Sequence, residues 1–110
     1  MKRVLLTLAS GALLALPAAA AEWKNAPVVD TLCIDKVKSN PDGHTTDCAL
    51  KCEKGGYGLI ADGKYLKFDE AGNKQAAAAL KETKKTDKLR ANVTGELAGD
   101  TIKVKTFALQ

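Results

Sequence analysis

Imidazole, sulfur and aromatic rings are scarce in this sequence: one histidine, three cysteines, and the aromatic residues Trp23, Tyr57, Tyr65, Phe68 and Phe107 among 110. Each shortage narrows the field. So few aromatics do not make a base-stacking platform. No two cysteines stand two residues apart, the spacing of a redox-active pair at a helix start. A cysteine–histidine nucleophile has only His44 as its base, near Cys48 in sequence, and no third orienting group accompanies them. Gly55, Gly56 and Gly58 lack the Lys-Ser/Thr that follows in a phosphate-binding loop. Repeats, low-complexity tracts and a second domain are absent too.

A strong charge of one sign is also missing. Lysine and arginine number 17 against 13 acidic residues, a net +4. Lys2 and Arg3 belong to a leader, and without them 15 basic side chains face the same 13 acidic ones, a net +2. A nucleic-acid module usually shows a basic stripe, so this balance argues against such a partner. Lys81, Lys84, Lys85 and Lys88 read as a solvated helix face.

What is present begins with the leader. Lys2 and Arg3 precede an apolar run over residues 4–16, and alanines 18–21 form a small-residue cleavage site. This is the pattern of a secretory signal peptide. A membrane helix needs about 20 apolar residues, and the run is broken by Thr7, Ser10, Gly11 and Pro17. The expectation is a signal peptide over residues 1–20 and one domain over 21–110, periplasmic or secreted, with no membrane span after cleavage. A domain of that size has a modest core, which a covalent or metal cross-link would help.

Along the chain, residues 26–37 (APVVDTLCIDKV) are rich in β-branched side chains and predict a strand. KSNPDGHTT reads as a loop, and TTDCALKCEKGG as a short helix capped by Thr46 or Asp47 and ended by Gly55-Gly56. YGLIA and KYLKF flank Asp62-Gly63, a dipeptide suited to a tight hairpin. The hairpin is expected to end over residues 69–72. NKQAAAALKETKK then has high helix propensity and a thin apolar face of Ala76, Ala77, Leu80 and Thr83. In the final stretch Leu89, Ala91, Val93 and Leu97 share one strand face, and Ile102 with Val104 continue it after a turn at 98–100.

Five strands with the main helix between the third and fourth predict a mainly β fold. The pattern matches the oligonucleotide/oligosaccharide-binding (OB-like) barrel, which carries sites on its loops between strands 1 and 2 and strands 4 and 5. The rival is an open five-stranded sheet with one packed helix. VVDTLCIDK, DCALKCEKGGYGLI, DGKYLKFDEAGNK and LRANVTGELAGDTIKVKTFAL together resemble a group of small exported bacterial proteins of unassigned function. The resemblance implies a barrel-like exported domain and supplies no activity.

The cysteines fall where a site is expected. On a helix the Cβ atoms of Cys48 and Cys52 sit about 5–6 Å apart, beyond the reach of a disulfide at roughly 3.5–4.5 Å. Cys33 would therefore pair with Cys48 or Cys52, the Gly55-Gly56 reversal favouring Cys52. Such a bond closes a loop of about 15–20 residues and contributes on the order of 3 kcal/mol. Alternatively Cys33, His44, Cys48 and Cys52 form a metal site, the last three recurring every four residues. Three thiolates with an imidazole suit zinc or copper, and Asp35, Asp42 and Asp47 are candidates to hold the imidazole. On that reading His44→Ala costs much stability, whereas an exposed loop histidine costs little.

The function expected is a non-enzymatic binding or accessory module, stapled by a disulfide, for a small-molecule ligand or an envelope protein. Its alternatives are a periplasmic metal-binding protein and a thiol-redox protein.

Overall fold

The computed structural model describes residues 20–110. The expected leader lies outside the described residues, except for Ala20. Five strands, β1 (Ala20–Asp30), β2 (Tyr57–Ala61), β3 (Lys64–Phe68), β4 (Arg90–Ala98) and β5 (Thr101–Leu109), close into a barrel in the order β1-β2-β3-β5-β4. β1 pairs antiparallel with both β2 and β4, which completes the ring and removes the open-sheet alternative. The one parallel seam joins β3 to β5 through Lys67–Thr101 and Phe68–Ile102. This is an OB-like barrel with its main helix, α3 (Glu70–Glu82), between the third and fourth strands.

The β2–β3 hairpin turns on Asp62 and Gly63, both with positive φ, 52° and 76°. A two-residue turn of that hand matches the twist of the flanking strands. Strand alternation then fills the barrel. Val28, Leu59, Leu66, Phe68, Ala91, Val93, Ile102 and Val104 are buried, while Lys64, Lys67, Lys103 and Lys105 face solvent. Leu97 shares the inward face but lies near the Gly99 turn, past the core, and stays 40 % exposed.

α3 starts earlier than its alanine run predicts. The Asp69 carboxylate accepts the Gly72 N–H at 3.0 Å and the Val104 N–H at 3.2 Å, so one residue both caps the helix and ties it to β5. Gly72, Ala76, Ala77 and Leu80 are buried. At Gly72 a side chain would collide with Val104 and Phe68, so the missing Cβ is what lets the first turn seat on the barrel. The helix stops at Glu82, and Lys84, Lys85 and Lys88 lie beyond it. Lys85 donates to the Lys88 carbonyl, and Lys81 pairs with Glu53.

β1 differs from its expected span at both ends. It begins at Ala20, where Ala20 to Trp23 pair with Glu96 to Val93, and passes through an irregularity at Asn25, whose φ is 52°. It ends at Asp30, not at residue 37. The Asp30 side chain accepts the Cys33 N–H and starts a 3-10 turn, Thr31–Cys33, followed by the short helix α1 (Ile34–Val37). Among the described residues no helix is long and apolar enough to cross a membrane.

Candidate functional site

The connection between β1 and β2, residues 31–56, folds into a cap that packs against α3 and against β1 itself. Its ends are clamped together where the Thr31 N–H donates to the Gly56 carbonyl at 2.9 Å. Inside the clamp lie α1, a 3-10 turn Pro41–Gly43, the helix α2 (Thr46–Lys51) and a second 3-10 turn, Glu53–Gly55. Thr45, one residue before the expected cap, accepts the Cys48 N–H and starts α2. Two hydroxyls dock the helix: Thr46 donates to the Lys85 carbonyl at 2.7 Å, and buried Tyr57 donates to the Ala49 carbonyl at 2.9 Å.

At the base of this cap sits Asp30, with no solvent exposure. Its Oδ2 accepts the Cys33 N–H at 3.0 Å, and its Oδ1 lies 2.5 Å from His44 Nε2. His44 is 3 % exposed, its backbone held by the Pro41 carbonyl at 3.1 Å. A carboxylate removed from water is costly unless it is paired and hydrogen-bonded, and both oxygens of Asp30 have partners.

Above the pair, the Cys33 and Cys52 sulfurs stand 3.9 Å apart, both half-buried. Cys33 closes the first 3-10 turn and Cys52 caps the C-terminus of α2. A carboxylate oxygen of Asp30 and these two sulfurs all lie within 4.8 Å of one another. The four candidates Cys33, His44, Cys48 and Cys52 are thus placed unequally. Cys33 and Cys52 meet, His44 reaches them through Asp30, and Cys48 is exposed on α2 outside the cluster. Among the described residues no hydrogen bond joins His44 to a thiol.

Of the acidic residues expected to hold the imidazole, Asp42 is engaged elsewhere. It accepts two hydrogen bonds from Arg90, each 3.0 Å, which hold its carboxyl below the usual carboxylate range. The role falls to Asp30, which the sequence reading missed. A signal was present: in DTLC an Asp stands three residues before the cysteine whose amide it accepts, the spacing of a helix-capping side chain.

Desolvation shapes the chemistry around the pair. Burial, followed by the Cys52 hydrogen bond and the nearby Asp30 charge, pushes the Cys33 thiol up to about 11. Burial likewise pushes Tyr57 up to about 12, with Glu53 and Asp30 adding to it. Tyr65 also rises to about 12 by burial. Its hydroxyl, on the outer side of β3, donates to the Val29 carbonyl at 2.9 Å and lies 3.0 Å from Thr31 Oγ1, bracing the strand end that presents Asp30.

Protein-family models, curated proteins and solved structures offer no match to this chain. What the structure shares with the resemblance drawn from the sequence is the small barrel.

Proposed function

We propose that this protein is an exported binding or accessory module whose β1–β2 cap is stapled by a disulfide between Cys33 and Cys52. The observation that carries the reading is the 3.9 Å approach of these two sulfurs from opposite ends of the cap. Bonding needs a further approach of about 2 Å. Two thiols give up two protons and two electrons, and a disulfide-bearing oxidant of the exported compartment is reduced to its dithiol. The bond closes a loop of about 19 residues and, in the chain-entropy picture, contributes on the order of 3 kcal/mol.

The staple holds together a cap that has little core of its own. Leu32, 64 % exposed beside Cys33, offers an apolar contact on the outside of that cap. A small apolar ligand or an envelope protein is the partner class this supports, because binding loops on a rigid barrel are the usual place for contact residues.

Mass analysis of the mature protein under non-reducing, denaturing conditions, with alkylation, tests the staple. One alkylatable thiol, at Cys48, and a cross-linked peptide joining Cys33 to Cys52 are expected. Three alkylatable thiols in protein recovered from the exported fraction overturn it.

A further inference from the structure

Two half-buried sulfurs, a fully buried carboxylate within 4.8 Å of both, and a buried imidazole behind that carboxylate form one cluster. A disulfide uses only the sulfurs. A capping role for Asp30 uses one carboxylate oxygen and is met as well at an exposed loop start. Neither accounts for placing Asp30 under both sulfurs with His44 holding its other oxygen.

We propose that in its dithiol state the cap binds one zinc ion through Cys33, Cys52 and Asp30, with His44 as the residue that positions the carboxylate. The inference goes beyond the staple, since it concerns the same sulfurs when they are reduced. Tetrahedral zinc with zinc–sulfur bonds of about 2.3 Å sets its two sulfurs about 3.8 Å apart. The pair here stands at 3.9 Å. The two thiols therefore need no rearrangement to share an ion; each gives its proton to solvent as the metal binds.

The carboxylate decides the class of metal. Thiolates suit both zinc and cuprous copper, but an anionic oxygen donor favours the harder divalent ion. Two thiolates and a carboxylate also gather three negative charges in a poorly solvated place, which a divalent ion offsets better than a monovalent one. An ionised carboxylate has about four lone-pair sites, so Asp30 can keep its bonds to His44 and to the Cys33 amide while it ligates. Hydrogen bonds of that kind commonly orient a metal-bound carboxylate. Three protein ligands leave a fourth position for water.

The test uses the mature protein reduced with a phosphine under anaerobic conditions and titrated with Zn²⁺ against a chromophoric chelator. Co²⁺ serves in parallel as a spectroscopic substitute. One equivalent of zinc is expected, with tetrahedral cobalt bands and a charge-transfer intensity of two thiolates. Cys33→Ser and Cys52→Ser should each weaken zinc binding at least tenfold, and Cys48→Ser should leave it unchanged. A three-thiolate cobalt signature, or loss of binding in Cys48→Ser, overturns the ligand set. Absence of stoichiometric binding by the reduced, folded protein overturns the site. That result leaves the staple standing, because alkylation of unreduced protein reads it separately. Asp30→Asn should weaken binding at least tenfold; should that variant not fold, the cobalt sulfur count and the three cysteine variants decide.

Discussion

His44 Nε2 lies 2.5 Å from Asp30 Oδ1, and both side chains are sealed from solvent beneath the β1–β2 cap. The histidine is thus part of the cap's internal support before it is anything else. A buried hydrogen-bonded partner of a carboxylate is worth far more than an exposed one, because removing it leaves the carboxylate uncompensated.

His44→Ala should therefore cost about 3 kcal/mol of stability with no metal present, by the general cost of orphaning a buried charged partner. Urea denaturation in a chelator reads this directly. An unchanged midpoint would mean that Asp30 is solvated in the cap after all. The same result bears on the sequence-level expectation that a large loss signals metal ligation: the buried pair produces that loss by itself.

Reactivity should separate the three thiols. In reduced, folded protein near pH 8, exposed Cys48 should be alkylated first and Cys33 last. The shift of the Cys33 thiol from 9.0 to about 11 lowers its thiolate fraction. That makes its alkylation on the order of 100-fold slower than that of an unshifted thiol. Peptide mapping after timed quenching checks the order, and Cys33 labelling ahead of Cys48 would contradict the burial described.

Alkaline stability follows from the two tyrosines. Their folded values are raised to about 12 from 10.0, so the neutral forms are favoured in the folded state. The stability they contribute is fully present below pH 10 and is lost as pH rises from about 10 to about 12. Tyrosinate absorbance should lag free tyrosine and then appear together with unfolding. Ionisation near pH 10 in still-folded protein would contradict this.

Close packing makes a fourth prediction. Gly72→Ala should destabilise the protein by about 1–3 kcal/mol, since the new methyl meets Val104 and Phe68 where α3 seats on the barrel. Helix propensity alone would make the change favourable by up to about 1 kcal/mol. The sign of the change in thermal midpoint therefore decides between contact and propensity.

Much of the barrel was legible because its signals are local. Asp62-Gly63 marks a turn by its own conformational freedom, alternation in KYLKF and TIKV places side chains in or out, and the alanine run places α3. What was not legible depends on contacts distant in sequence. Residues 26–37 look like one strand until Asp30 is seen to cap a turn, since β-branched residues suit the strand and the turn alike. Asp69 looks like the close of a hairpin until β5 supplies Val104 as its second donor. His44 follows Pro41, Asp42 and Gly43 and so looks exposed; only the tertiary fold buries it. The Gly55-Gly56 reversal pointed to Cys52 as the neighbour of Cys33, and their sulfurs stand 3.9 Å apart; a periodicity of four could not show that Cys48 lies outside the cluster.

The position of β5 in the ring has a last consequence. It lies between β4 and β3, yet among the described strands it comes after all the others in chain order. Until it emerges from the ribosome, β3 and β4 have no shared neighbour, and Ile102 and Val104 are missing from the interior. A polypeptide stopped after Ala98 is accordingly expected to remain open to protease attack, and resistance of that fragment would refute the idea. For a precursor that we propose is exported, this order of assembly means that a chain threaded into a translocation channel as far as Ala98 still lacks the strand that closes the ring.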